Sequence, residues 1–255
     1  MGYSADAWDE GRALIAACSV EETRFGFEAE RVILAVRGTA QTVSWGAKPL
    51  GISLTVDAGR TFIEEGDPAE HFFNVTAGTA KLFKLLPDGR RQITGFASMG
   101  TFLGLAVSST YAFGAEAVEP MRICRFSRPK LRALLDDFPA MEKRLLEVAS
   151  NELVAAQEQM LLLGRKTARE RLASFLVTRG VCAGNGAPAC GHRAAEKVTL
   201  PMTRSDIADY LGLTIETVSR TLTRFKSERL IDIPNAADIL IRDHAALRSL
   251  ATGLH

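Results

Sequence analysis

The sequence predicts an α+β chain in which a small β-roll is followed by one long amphipathic helix and then by a winged helix-turn-helix. Three observations carry this. From Val32 to Phe126, β-branched and aromatic runs are broken every few residues by Gly, Pro and Asp. From Phe138 to Leu163 no Gly or Pro follows Pro139, and apolar residues recur at helical spacing. Nearer the C-terminus, Thr203 and Thr214 open two helical patterns on either side of a single glycine, Gly212.

A length of 255 residues suits two modest domains better than one large one. With 47% hydrophobic, 24% charged and 7% aromatic residues, the chain has ordinary globular usage, which excludes collagenous, disordered and disulfide-scaffold classes. Lys and Arg total 31 against 30 Asp and Glu, a net charge of +1, so attraction to nucleic acid has to be local. The stretch from Met1 to Arg12 lacks the basic-then-apolar profile of a signal peptide, and no apolar run reaches the roughly 18 residues of a membrane span. The expectation is a cytoplasmic protein without a membrane partner.

In the roll, the plainest hairpin is Lys81–Leu86, a Pro87–Asp88–Gly89 turn, and Arg90–Phe96, because that turn reverses two alternating strands. Gly59, Gly66, Gly78 and Gly100 supply further turns. No period of 20 to 50 residues repeats, which excludes solenoids and propellers.

The helical stripe comprises Phe138, Met141, Leu145, Ala149, Leu153, Ala156, Met160 and Leu163. Its consecutive fours through Leu145, Ala149 and Leu153 form a stutter in an otherwise heptad-like seam. A helix of about 26 residues is near 39 Å long, more than a small roll covers. Pairing between two subunits is therefore favoured over packing on the chain's own roll. The domain limits that follow are 1–137 for the roll, 138–165 for the dimerisation helix and 166–255 for the winged domain.

The last stretch opens with a helical face from Ala168 to Leu176 that Gly180 is expected to stop, then a Gly- and Ala-rich loop to about Lys197 and a short strand at Val198–Leu200. Thr203 with Asp206, and Thr214 with Glu216, place an N-capping hydroxyl and an acidic residue at each helix start. Gly212 ends the first helix, and the second runs from Ile215 to Glu228. Strands at Arg229–Ile233 and Ile239–Ile241 around Pro234–Asp238 make a wing, and a small helix closes the chain between Arg242 and Leu254.

Two short helices joined by a tight glycine turn form a helix-turn-helix whose second member fits the DNA major groove. Ile207, Ala208 and Leu211 are expected to pack on Val218 and Leu222, turning Glu216, Thr217, Ser219, Arg220, Thr221 and Arg224 outward. Arg220 suits bidentate donation to guanine, Glu216 acceptance from the cytosine amino group, and Ser219 contact with thymine or adenine edges. Arg204, Arg224 and Lys226 suit phosphates, with Thr203, Ser205, Thr214, Thr217 and Thr221 as further backbone contacts. Six basic residues against four acidic ones between Lys197 and Arg229 give a modest local excess.

Several segments resemble the Crp/Fnr superfamily of bacterial transcription regulators, collinearly over nearly the whole chain. Glu65–Glu70 through Phe72–Gly78 resembles that family's cyclic-nucleotide-binding-type β-roll, and Leu161–Ala173 the end of its dimerisation helix. Leu213–Arg220 matches the E-x-x-S-R pattern of the Fnr and FixK-like branch, with Glu216, Ser219 and Arg220 in the three places. The resemblance implies a homodimer on double-stranded DNA that reads TTGAT-type half-sites in an inverted repeat. Cyclic-AMP-type members carry Arg where Ile215 stands and Gly where Ser219 stands, which argues against a TGTGA-type site. It further implies an activator that contacts RNA polymerase, with the Pro87–Asp88–Gly89 tip a candidate, and control of low-oxygen or respiratory genes.

The sensor region departs from its relatives. Gly100–Leu105 and Tyr111–Glu116 offer no Arg for a buried phosphate and no ribose-binding acid near Gly104, so no cyclic nucleotide is expected. Fnr-type iron–sulfur clusters need four thiolates; only Cys18 lies in the N-terminal region, and Cys124, in the fourth position, reads as a small buried hydrophobe. Cys182 and Cys190 bracket a loop with His192 nearby, so they are either a thiol-redox switch or two unpaired loop thiols. Zinc would require a fourth ligand. No metal or cofactor is therefore expected.

An enzyme is not expected either. The roll holds one histidine, His71, and the chain lacks a G-x-x-x-x-G-K-[ST] loop, a G-x-S-x-G turn and an H-E-x-x-H pair. A small-ligand module without DNA activity is the alternative class, and it leaves the second helix of the helix-turn-helix unexplained.

Overall fold

The computed structural model describes residues 15–17, 31–36, 39–44, 51–105, 108–129, 139–183 and 196–253. The chain divides into two compact units: Met1–Lys84 with Thr94–Asp137, and Leu85–Ile93 with Phe138–His255.

In the first unit, β1 (Ile15–Ala17), β2 (Arg31–Val36) and β3 (Thr39–Ser44) make an antiparallel sheet in that order. β1 lies before the stretch in which strands were expected. The roll itself is built from β4 (Gly51–Val56), β5 (Thr61–Ile63), β6 (His71–Ala77), β7 (Ala80–Leu85), β8 (Arg91–Ala97), β9 (Phe102–Leu103), β10 (Gly114–Ala117) and β11 (Met121–Ser127). They form two four-stranded sheets, ordered β4-β11-β6-β9 and β5-β10-β7-β8.

Strand alternation sorts the side chains of β6 and β11 onto two faces. Phe73, Val75 and Ile123 join Val56, Ile63, Leu103, Tyr111 and Met121 in the main core. Phe72, Cys124 and Phe126 form a smaller cluster with Phe102 and Leu105, in which the Phe72 and Phe126 rings stack at 4.8 Å. Cys124 is thus the buried apolar residue the sequence indicates. Its cross-strand neighbour Asn74 is fully buried, and neither of its amide atoms has a hydrogen-bond partner.

Turn chemistry follows the sequence. At the β7–β8 hairpin Gly89 takes φ +84°, and Asp88 Oδ1 accepts from the Arg90 amide at 3.0 Å. Gly78, at φ +82°, lets the chain pass Met121 so closely that an added Cβ would lie 2.6 Å from the Met121 Cβ.

The second unit begins, after the hairpin tip 85–93, with α1 (Pro139–Arg165), whose 27 residues span about 40 Å. Ala149, Leu153, Ala156 and Met160 are exposed along it, Leu153 by 60% and Met160 by 65%. Leu146, seven residues before Leu153, is also exposed, at 68%. Through Leu146 the exposed apolar positions 146, 149, 153, 156 and 160 alternate threes and fours, a heptad spacing that runs alongside the stripe through Leu145. The side chains of Met141 and Leu145 lie outside the described residues.

Next is α2 (Ala168–Ala183), opened by a reciprocal cap in which the Thr167 amide donates to Glu170 Oε2 at 2.8 Å. It runs through Gly180 rather than stopping there. An interior glycine costs a helix about 1 kcal/mol, less than packing on α5 and the wing returns. The backbone of Cys182 falls in the last turn of α2, while its side chain, with Cys190, His192 and Cys18, lies outside the described residues.

The winged domain is completed by β12 (Glu196–Thr199), α3 (Arg204–Leu211), α4 (Ile215–Ser227), β13 (Ile231–Asp232), β14 (Asp238–Ile241) and α5 (His244–Thr252), with sheet order β12-β14-β13. The strand expected to begin at Arg229 starts only at Ile231. Arg229 takes φ +60°, the left-handed turn that closes α4 and is usually given to glycine. Leu172, Leu176, Leu200, Ile207, Leu211, Val218, Phe225, Ile231, Ile239 and Leu247 form the interior, each at most 2% exposed. Among the described residues no helix is long and apolar enough to cross a membrane.

Candidate DNA interface

The helix-turn-helix is fixed from both ends of each helix. Thr203 and Asp206 form a complete capping box: the Thr203 hydroxyl accepts from the Asp206 amide at 3.1 Å, and Asp206 Oδ2 accepts from the Thr203 amide at 3.0 Å. Gly212 ends α3 at φ +61°, in the left-handed conformation, and its amide donates to the Ala208 carbonyl. Thr214 then caps α4, its hydroxyl accepting from the Thr217 amide at 3.2 Å.

Ile207, Ala208, Leu211, Val218 and Leu222 are all buried, as the sequence pattern requires. Burying Val218, Leu222 and Phe225 at spacings of 3 and 4 rotates α4 so that Glu216, Ser219, Arg220, Thr223 and Arg224 are exposed. Thr217 and Thr221 are half-buried at the edge, where the Thr221 hydroxyl donates to the Thr217 carbonyl at 2.7 Å. The N-terminal part of the exposed face therefore carries the Glu216 carboxylate, the Ser219 hydroxyl and the Arg220 guanidinium within about a turn of each other.

Electrostatics prepare Glu216 as an acceptor. Its own backbone amide and the Thr214 hydroxyl hydrogen-bond the carboxylate, and the Arg220 charge adds to them, so its pKa lies below the ordinary carboxylate value. A depressed value keeps the group ionised until pH falls through that lowered pKa, so its acceptor function is present above it and lost only in acid. Titrated by NMR in the free protein, the Glu216 carboxylate is therefore expected to show its midpoint below that of an ordinary glutamate. A midpoint at or above the ordinary value would show that the carboxylate is not held this way.

The backbone contacts expected from the sequence are distributed around this face. Thr203, Ser205 and Thr214 are exposed, and so is Lys226. Arg204 is half-buried, which lowers its pKa, and one guanidinium nitrogen donates to the Ala236 carbonyl at 3.3 Å, tying α3 to the wing. Arg224, 63% exposed at its side chain, pairs with Glu228 at 2.9 Å, and Arg169 of α2 pairs with the same carboxylate. Glu228 thus holds Arg224 beside the recognition face while leaving most of its donors available.

Sequence reasoning missed the side chains that support the turn. Arg171 donates to the Leu163, Lys166 and Leu211 carbonyls, Gln159 to that of Tyr210, and Gln92 to that of Asp209. Arg91 bridges Asp206 at 3.2 Å and Asp209 at 3.1 Å. No periodicity marks these residues, since each acts on a carbonyl or carboxylate distant in sequence.

Residues 170–250 match the Crp-like helix-turn-helix domain, and residues 53–138 the cyclic nucleotide-binding domain. The nitrogen fixation regulation protein FixK of Bradyrhizobium diazoefficiens is 41% identical, over 79% of this chain and 83% of its own length. The transcriptional activatory protein AadR of Rhodopseudomonas palustris is 44% identical, over 69% of this chain and 72% of its own. Among solved structures, FixK2 from Bradyrhizobium japonicum superposes with a TM-score of 0.71 at 33% identity, covering 79% of this chain and 98% of that one. The chain belongs to the Crp/Fnr family of transcription regulators.

Within the Crp/Fnr family it is FixK-like, a DNA-binding helix-turn-helix regulator with a cyclic-nucleotide-binding-type roll. Among its described residues the roll offers a cyclic phosphate no unpaired buried cation. Lys81 is the one buried cation among its described residues, and it is bonded to Glu116 at 2.9 Å. Arg128 donates to the Gly104 carbonyl at 2.6 Å and the Ser108 carbonyl at 2.7 Å, so its guanidinium is engaged by backbone. Tyr111 packs its ring near Phe73 and donates its hydroxyl to the His71 carbonyl at 2.8 Å.

Proposed function

We propose that this chain acts as a homodimeric activator that reads a TTGAT-N4-ATCAA-type inverted repeat, without cyclic nucleotide or iron–sulfur cluster. The observation that carries the reading is the exposed E-x-x-S-R face of α4, with Glu216, Ser219 and Arg220 outward and Val218 and Leu222 buried behind them. Arg220 donates to guanine, Glu216 accepts from the cytosine amino group and Ser219 touches thymine or adenine edges. Thr203, Arg204, Ser205, Thr214, Thr217, Thr221, Arg224 and Lys226 position the domain on the phosphate backbone. Two copies pair along α1 through Leu146, Ala149, Leu153, Ala156 and Met160, which places two recognition helices about one DNA turn apart. Activation proceeds through contact with RNA polymerase, to which the exposed Pro87–Asp88–Gly89 tip contributes. The relatives named as nitrogen fixation regulators support a role in low-oxygen or respiratory gene control.

The test is fluorescence anisotropy at fixed salt with purified, ligand-free protein. Binding to a TTGAT-N4-ATCAA duplex is expected to exceed binding to scrambled half-sites by about 10³-fold or more. Equal affinity for the two duplexes, in the presence and absence of thiol reductant, would overturn the reading.

A further inference from the structure

We infer that Gln159 and Arg171 fix the spacing between the two recognition helices, and so select the length of DNA between the half-sites. The inference rests on the dimeric reading above and adds to it the residues that make the dimer intolerant of a wrong spacer.

The last four carbonyls of any helix lack intrahelical partners. In α3 these belong to Ala208, Asp209, Tyr210 and Leu211, immediately before the turn into α4. The Ala208 carbonyl accepts from the Gly212 and Leu213 amides. The other three are capped by side chains from outside the helix-turn-helix: Asp209 by Gln92 Nε2 at 2.6 Å, Tyr210 by Gln159 Nε2 at 3.1 Å, and Leu211 by Arg171 Nη1 at 2.9 Å. α3 has no basic residue of its own in its last turn, so the cation that suits its negative end comes from α2.

Arg171 also reaches back to α1. Its Nη2 donates to the Leu163 carbonyl at 2.8 Å and its Nε to the Lys166 carbonyl at 2.9 Å. One planar guanidinium thus joins the end of α1 to the end of α3, and planarity makes the joint directional. Gln159 joins the same two helices four residues earlier on α1, about 6 Å away along the axis. A single joint would be a hinge, whereas two joints at different heights set an angle. Leu163 adds packing, since its Cδ2 lies 3.5 Å from where a Gly212 Cβ would stand.

Because the Gly212–Thr214 turn is itself fixed, α4 follows α3, and α3 follows α1. Each base pair added to a spacer moves one half-site by about 3.4 Å and about 35° relative to the other. A dimer with both domains held at a set angle to its pairing helices cannot follow that movement without breaking these bonds.

The test compares the full-length wild type with Gln159→Glu and Arg171→Gln on duplexes with three, four or five base pairs between half-sites. Gln159→Glu keeps the shape of a half-buried side chain and replaces its donor with an acceptor, so folding is preserved. Arg171→Gln leaves carbonyls without donors and costs stability, so Gln159→Glu decides. The wild type is expected to lose about 30-fold or more on leaving the four-base-pair spacer. In Gln159→Glu that penalty should shrink to about fivefold or less, with the loss concentrated on the four-base-pair site. An equal loss on all three duplexes, or an unchanged penalty, would overturn the inference.

A second readout needs no DNA. Pulsed dipolar spectroscopy of a spin label at Thr223→Cys, in a background with the native cysteines replaced, reports the distance between the two recognition helices. A wider distribution in Gln159→Glu than in the otherwise native background supports the inference, and equal widths overturn it. Should the wild type not distinguish the repeat from scrambled DNA, the half-site reading fails and these distances alone decide the spacing role. A monomeric wild type overturns both.

Discussion

Replacing Arg220 with alanine is expected to remove most of the preference for the inverted repeat over scrambled DNA while leaving the folded protein intact. Arg220 is exposed on α4, between the buried Val218 and Leu222, so its truncation opens no cavity; surface changes of this kind shift stability by about 0.5 kcal/mol or less. A good bidentate pair discriminates by about 1–3 kcal/mol, and a dimer makes two. The expected loss is therefore about 2–6 kcal/mol, or about 30-fold to 10⁴-fold in specific affinity. Non-specific binding should fall far less, because only one phosphate-attracting charge per subunit is removed. Arg220→Lys separates charge from geometry: it keeps the cation but loses the planar fork, so it should restore affinity for scrambled DNA without restoring discrimination. If Arg220→Ala retained the wild-type ratio between the two duplexes, the base-reading role would belong elsewhere on α4.

The parts of this site that were legible in the sequence are those whose physics is local. Thr203 with Asp206, Gly212, and Thr214 each act on backbone groups within a few residues, so their spacing announces the helix ends before any tertiary contact exists. Ile207, Leu211, Val218 and Leu222 were legible for a related reason, since a helix period of 3.6 forces them onto facing stripes. The Pro87–Asp88–Gly89 hairpin belongs to the same class. Where local preference competes with packing, the sequence misleads. Gly180 disfavours a helix, yet α2 runs through it to Ala183, and Arg229 occupies a left-handed position that favours glycine because α4 must turn there into β13. The tertiary supports were not legible. Gln92, Gln159 and Arg171 act on carbonyls 117, 51 and 40 residues away, and a carbonyl has no residue type to recognise.

The pairing role proposed for α1 leads to the other large effect: Leu153→Glu is expected to convert the dimer to monomer at micromolar concentration and to lower affinity for the full repeat by about 10³-fold. Leu153 is 60% exposed in the protomer and central in the seam of Leu146, Ala149, Leu153, Ala156 and Met160. In a parallel pair the two copies of this position face each other, so the substitution removes a core contact and sets two carboxylates together in an apolar seam. Joining two half-site contacts in one molecule raises effective concentration and is worth about 10²–10⁴ in affinity, and that gain disappears with the dimer. Binding to a single half-site, and the unfolding of the winged domain, should change little, because Leu153 contributes to neither. Leu153→Met fills nearly the same volume and should remain dimeric with wild-type DNA binding. Sedimentation velocity alongside anisotropy separates the possibilities. A dimeric Leu153→Glu protein with unchanged affinity for the repeat would place the subunit interface away from this stripe, and the exposed leucines of α1 would then need another partner.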